Sequence, residues 1–300
     1  MRDDDLRAST NIDDRRGMRG GAVRGGGLGI GALLVVGLLS WATGIDPRLL
    51  LGGLEMIEGG GSPQAVEGQR GTPTDATGQF IARVLGETED VWTQILPQQA
   101  GMPYREPILV LFSGVTSSGC GTAQSAMGPF YCPLDRKLYL DTSFFADMQR
   151  RLGGGGDFAY AYVIAHEVAH HVQNLIGVLP KVQEMRQKAD ERTSNALSVR
   201  VELMADCLAG TWAHHMNQRH RNIDESDIKE AVATAEAIGD DRLQRQAGRG
   251  AVVPDSFTHG SSAQRVQWLT TGLRSGTINA CNTFASRAKW CCWISGTTPA

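Results

Sequence analysis

The sequence predicts an α+β domain, mostly helical with a small β-sheet packed on it, preceded by one N-terminal transmembrane helix. Three observations carry this reading. Beyond residue 75, apolar residues recur at helical spacing, as in Phe80, Ile81, Val84, Leu85, Val91, Trp92, Ile95 and Leu96. Two short runs, Pro107–Phe112 and Lys137–Asp141, are compact or alternating and read as strands. No charged residue occurs between Arg24 and Asp46, a gap that includes Leu33 to Leu39, and about twenty such residues suffice for a helix to cross hydrocarbon.

With 300 residues the chain has room for an anchor and one domain of ordinary size. A net charge of −3, with no basic face, argues against a nucleic-acid partner. The 37 glycines cluster near the N-terminus and in loops, so they mark linkers and not a fibrous protein. Six cysteines, an even number in a chain that looks exported, favour disulfides over free thiols.

Taken in order, residues 1–24 are charged and Gly-rich and read as a disordered cytoplasmic segment. Residues 25–45 form the span, with Trp41 suited to the interface. A cleaved signal peptide is the competing reading, but no Ala-x-Ala site follows the run. Arg15, Arg16, Arg19 and Arg24 precede the span and Arg48 alone follows closely. The positive-inside rule then leaves the N-terminus in the cytoplasm and the domain in the periplasm or at the cell surface. Residues 46–74, rich in Gly, Pro, Thr and Gln, read as a flexible linker.

The globular domain covers residues 75–284. Between its two strands a loop carries Cys120 and Cys132, turned by Gly121, Gly128 and Pro129. Cys120–Cys132 is the first expected disulfide. Phe144–Leu152 reads as a short helix, broken by Gly153 to Gly156, and Asp157 is placed to cap the next one. That helix should end near Gly177, with Pro180 just beyond. A polar helix, Lys181–Glu191, precedes a long one that Ser194 or Asn195 caps and that reaches about His220. Asp224 opens a helix over Ile228–Ile238, a polar loop runs from Gly239 to Gly250, and Ala263–Leu273 is a last amphipathic helix before Cys281. Cys207–Cys281 is the second expected pair. Residues 285–300, with Trp290-Cys-Cys-Trp-Ile294, are a tail to which no role is given.

One helix carries chemistry. His166-Glu167-Val168-Ala169-His170 lies in the apolar run that starts at Phe158. Residues four apart share a helix face, so His166 and His170 can both offer nitrogens to one metal ion. Glu167 is turned roughly 100° from His166, within reach of a water at that ion. This is the H-E-x-x-H arrangement of zinc sites with a glutamate base. A buried helix rarely carries three polar side chains without partners.

A catalytic zinc takes three protein ligands and keeps a fourth position for water. The extended metzincin pattern is absent, because Gln173 and Ile176 occupy its Gly and third His positions. Glu202, in Val201-Glu-Leu-Met-Ala-Asp-Cys207, is the better third ligand. Asp206, one turn on, is placed to accept the N–H of a ligand imidazole and fix its tautomer. Pairing of Glu202 with Arg192 or Arg200 on a solvated face is the competing reading.

H-E-x-x-H followed some thirty residues later by E-x-x-x-D resembles the gluzincin peptidases. The stretches Gly128–Pro133, His166–Gln173, Val201–Trp212, Ile238–Gln244 and Pro254–Gly260 are more specifically similar to the bacterial neutral zinc metallopeptidases, the YpfJ-like family. The resemblance implies a zincin-like fold, with a small sheet over two helices that hold one zinc, and a single N-terminal membrane span. It brings no substrate.

His259, in the loop Ser256-Phe-Thr-His-Gly260, is placed to steady an oxyanion beside the metal. A His bound to backbone or lying at the surface is the equal alternative. His171 should point away from the ligands, and His214, His215 and His220 lie too far along their helix to join Glu202. The reading is a membrane-anchored zinc metallopeptidase acting on peptides or proteins outside the cytoplasm. In it His166, His170 and Glu202 hold zinc, Glu167 is general base, Asp206 orients a ligand and His259 assists. Lys137–Asp141 is the edge strand expected to hold an extended peptide. The alternative is a non-catalytic zinc-containing binding or assembly protein of the cell envelope. A fourth protein ligand such as His259 or Cys207 would favour it.

Overall fold

The apolar runs form helices with the caps that their flanking residues supply. The computed structural model describes residues 1–17, 68–152, 155–246 and 252–285. Helix α1 is Ala76–Ala100, and its N-cap Asp75 accepts from the Gly78 N–H. Then come α2 (Ser143–Leu152), α3 (Asp157–Leu175), α4 (Val178–Gln187), α5 (Glu191–His220), α6 (Glu225–Ala237), α7 (Asp240–Gln246) and α8 (Ser262–Ser275).

Several helix starts differ from the expected ones, each for a local reason. Gly156 caps α3, and Asp157 sits inside its first turn, where a carboxylate suits the helix dipole. Helix α4 begins at Val178 and holds Pro180 in its first turn, where a missing N–H costs nothing. Asp190, not Ser194 or Asn195, caps α5 through the Thr193 N–H. The polar stretch after Gly239 is helix α7, opened by Asp240 and Asp241. Close approach of α5 and α8 rests on Gly210 and Gly272, since a Cβ at either would clash with facing backbone.

Five strands form one sheet in the order β2-β1-β3-β7-β6, where β1 is Ile12–Asp14, β2 Gln69–Arg70, β3 Ile108–Phe112, β7 Lys137–Asp141 and β6 Phe130–Cys132. β1 and β7 both pair parallel with β3, while β2 and β6 run antiparallel to their neighbours. A separate hairpin, β4 (Val115–Ser118) and β5 (Gly121–Gln124), occupies what reads in sequence as loop. Strand β7 is therefore interior, which corrects its expected place at the edge. The edge on that side is β6.

The first 17 residues are not the disordered segment expected for 1–24. Ile12 is fully buried beside Leu109. The buried Asp13 accepts from Arg15 at 2.8 Å and from the Gly68 N–H at 2.6 Å. These contacts outweigh a composition that looks unfolded. The expected linker 46–74 likewise contains β2 at its end. Asp14 pairs with Gln69, so the chain leaves and re-enters the sheet at one place. One membrane crossing between β1 and β2 would put these paired strands on opposite sides. The expected span 25–45, linker residues 46–67 and tail residues 286–300 lie outside the described residues. Among those described, no helix is long and apolar enough to cross a membrane.

Both expected disulfides are present. Cys120–Cys132 closes 12 residues and Cys207–Cys281 closes 74. The second ties the segment after α8 to the middle of α5.

Candidate metal centre

Helix α3 brings two histidines to one face because its other faces are apolar. Ile164, Ala165, Val168 and Ala169 are buried in the core, which fixes the helix rotation and aims His166 and His170 at α5. There Glu202 meets both. Its carboxylate lies 3.2 Å from His166 Nε2 and 3.6 Å from His170 Nε2. One ligand atom from each of the three lies within 4.8 Å of the others. Arg192, the competing partner of Glu202, instead pairs with Asp255.

The opposite ring nitrogens are each held. His166 Nδ1 donates to Asp206 Oδ1 at 2.9 Å, and His170 Nδ1 to Gln173 Oε1 at 2.9 Å. Each Nε2 thereby turns a lone pair toward the cluster. Gln173 also donates to the Val201 carbonyl at 2.7 Å, so one side chain sets a ligand and locks α3 to α5. Asp206 Oδ1 further accepts from Tyr162 Oη at 2.6 Å and from Arg265 Nη2 at 2.9 Å. Asp206 and Arg265 are both buried.

The electrostatics favour a cation at the cluster. Burial alone would depress the His166 pKa, but its bonds to Asp206 and Glu202 outweigh this and push it up to about 10. Glu202 is held well below the usual carboxylate range: burial opposes ionisation, and the charges of His170, His166 and His259 overcome it. Burial likewise opposes ionisation of Asp206, and Arg265 and His166 hold its pKa down. Two imidazole nitrogens and one carboxylate that converge in this way are a donor set that fits Zn²⁺ with one position left over.

Glu167 lines the same cavity of about 490 Å³ as His166, His170, Glu202, His259 and Arg265. Its carboxylate has no hydrogen bond or ion pair among the described residues, so it is free to meet a substrate or water. His259 stands outside the three-residue cluster but faces it. Its Nδ1 lies 3.3 Å from Asp240 Oδ1, and Asp240 Oδ2 accepts the backbone N–H groups of Thr258, His259 and Gly260. The Asp240 bond raises the His259 pKa, burial opposes this, and Glu202 and Asp240 add to the rise. The His259 side chain is 52% exposed, which leaves Nε2 accessible from the cavity.

The other expectations sort cleanly. Cys207 is bonded to Cys281 and is not available as a fourth ligand. His171 is buried away from the cluster, against Tyr131 Oη at 3.0 Å and the Arg105 carbonyl at 2.6 Å. His214 and His215 bond the carbonyls of Leu273 and Gly276, and His220 pairs with Glu87. Four positioning residues escape a reading of the sequence. Tyr162 and Gln173 carry a local signal, lying one turn from His166 and His170 on the same face. Asp240 lies in the stretch Ile238–Gln244 quoted for the resemblance but shows no role there, and Arg265 carries no signal, because only the fold brings α7 and α8 to the cluster.

Comparison with known proteins agrees with this geometry. A family model described as "Putative neutral zinc metallopeptidase" matches residues 1–284. The chain is 45% identical over 296 residues to the uncharacterized protein YpfJ of Escherichia coli K12, covering 95% of this chain and 99% of that protein. It is 42% identical over 228 residues to the uncharacterized protein Rv2575 of Mycobacterium tuberculosis H37Rv, covering 72% of this chain and 74% of that protein. No solved structure matches it significantly.

Proposed function

The chain belongs to the neutral zinc metallopeptidase family, and on that premise we propose that it is a zincin-like zinc peptidase that hydrolyses peptide bonds outside the cytoplasm. One observation carries the reading. His166, His170 and Glu202 converge from two helices, with Glu167 in the same cavity. The two disulfides support an oxidising compartment. The apolar run 25–45 is long enough to attach the chain to a membrane.

His166, His170 and Glu202 would hold the metal, and Asp206 and Gln173 keep the two imidazoles in the ligating tautomer. A zinc ion held there would supply a water of lowered pKa and polarisation of the scissile carbonyl. Glu167 accepts the proton of the attacking water and later delivers it to the leaving amine. His259, held by Asp240, donates a hydrogen bond to the oxyanion that develops on the carbonyl. Strand β6 is the last strand of the sheet among the described residues, and Phe130 and Tyr131 line the cavity. An extended substrate adds to that edge as a further strand.

Substitution Glu167→Gln tests the mechanism. Both proteins should carry about one zinc per chain, while cleavage of a peptide library falls about 10²–10⁴-fold in the variant. Cleavage near the wild-type rate would refute Glu167 as the base. Wild-type protein that takes up no zinc would refute the peptidase reading itself.

A further inference from the structure

A second cavity, of about 570 Å³, opens beside the metal cluster. Pro133 and Leu134, just after β6, form one wall, and Leu179, Pro180 and Val182 of α4 form another. Leu179, Val201 and Glu202 line this cavity and the metal cavity alike. The two spaces therefore adjoin one another at these residues, one of which belongs to the cluster. A peptide whose carbonyl sits at His166, His170 and Glu202 has this cavity within reach of a side chain next to the bond.

The walls are stiff before any ligand arrives. Cys120 lines the cavity, and its disulfide to Cys132 anchors the turn that carries Pro133 and Leu134. Pro180 stiffens the opposite wall. Leu134 is 78% exposed, an apolar surface that an apolar guest would cover. Glu202, already committed to the cluster, is the only carboxylate in the lining. Arg186 is the only cation, and its Nε donates to Ser194 Oγ. Preformed apolar walls with few polar groups are the ordinary form of a site for an apolar group, and rigid walls lower the cost of binding.

We propose that this cavity is the subsite that selects substrates, accepting one bulky apolar side chain from a residue beside the bond that is cleaved. The proposal rests on the peptidase reading. Ser198 of α5 faces the space, so Ser198→Phe fills it. Leu134→Asp, at an exposed position where folding is insensitive to the change, places a charge in its wall.

The zinc-loaded full chain is titrated with leucine hydroxamate and with glycine hydroxamate, two metal-chelating probes that differ in one side chain. The leucine probe should bind the wild type about tenfold tighter or more, the discrimination ordinary for an apolar pocket. The ratio should drop toward one in both variants. Equal affinities in the wild type, or a ratio unchanged in both variants, overturns the subsite. A random-peptide library then separates the two readings. Cleavage with no preference for bulky apolar residues at any position overturns the subsite and leaves the peptidase standing. Zinc-loaded protein that cleaves nothing, yet retains the probe ratio, overturns the peptidase and leaves the subsite standing.

Discussion

The helices that carry the metal cluster and the sheet beside them are assembled in opposite ways. In α3, five consecutive residues supply two candidate ligands and the proposed base, and one turn on either side supplies Tyr162 and Gln173. In the sheet, Ile12 lies beside Leu109 and Asp14 beside Gln69, so neighbours in space come from distant parts of the chain. Chemistry sits on the local half. The sheet supplies access, because β6 borders the cleft, and its opposite side, at β1 and β2, takes in a long insertion. A site built from local sequence can be read early. A sheet closed by distant strands shows itself only in the fold.

The largest effect that could break this contrast concerns β1. Deleting residues 1–17 removes a strand between β2 and β3 and exposes a fully buried part of the core. Cooperative unfolding in urea should be lost, and the milder Ile12→Ala should cost about 2–5 kcal/mol. A disordered tail would be removable without consequence. The same pairing makes a cellular prediction. Compartment-specific reporters at the N-terminus and after residue 285 should report the same side of the membrane. Opposite sides would mean that β1 does not pair with β2 and β3 in the cell.

Next come the disulfides, one in each half. In a chain-entropy account a cross-link stabilises in proportion to the logarithm of the loop it closes. Replacing Cys207 and Cys281 by Ser opens the 74-residue loop that ties the C-terminal segment to α5, and should cost about 4 kcal/mol. The same change at Cys120 and Cys132, across 12 residues, should cost about 3 kcal/mol. Denaturation midpoints at equal slope measure both. A larger loss at the short loop would show that the sheet-side staple holds more structure than its own turn.

Buried acids sharpen the contrast further. Asp206 in α5 and Asp13 in β1 are both fully buried and both paired with arginine. Only Asp206 touches a ligand. Asp206→Asn should weaken zinc binding about 10–100-fold, read by competition with a chelator. Asp13→Asn should leave zinc affinity unchanged and register only in stability. Equal losses of affinity would mean that the sheet and the cluster are mechanically coupled.

How much of the molecule is legible in sequence follows the same divide. The candidate ligands, the proposed base and Asp206 stand out because polar residues at helical spacing interrupt otherwise apolar helices. Strands β3 and β7 stand out as apolar runs, and both cysteine pairs are as expected. The strand Ile12-Asp13-Asp14 offers no such signal, since two of its three residues are acidic and Asp13 is buried only because Arg15 and Gly68 satisfy it. The edge position of β6 is a property of strand order, which no local pattern encodes. Asp240 and Arg265 show no role in sequence and become positioning residues only when α8 packs on α5 and α7 lies against α8.

The smallest effect tests the join between the N-terminal segment and the helices. Arg16 bonds Asp75 at 2.6 Å and 3.1 Å, and Asp75 also caps α1. The Arg16 bond is the main reason that the Asp75 pKa falls from 3.8 to about 2. A carboxylate with a depressed folded-state pKa adds stability above its unfolded value and loses it as the pH falls through the folded one. The coupling between Arg16 and Asp75 should therefore be full above about pH 4 and vanish near pH 2. Asp75 is 50% exposed, so solvent screening keeps the coupling below about 1 kcal/mol. A double-mutant cycle with Arg16→Met and Asp75→Asn isolates it, because Asn caps a helix about as well as Asp and the cap cancels. Coupling that fades with acid would place the first strand's flank on α1 in solution. Zero coupling at every pH would mean that the Arg16–Asp75 contact contributes nothing in solution and that other contacts, such as Arg7 with Glu89, hold the segment to the helix.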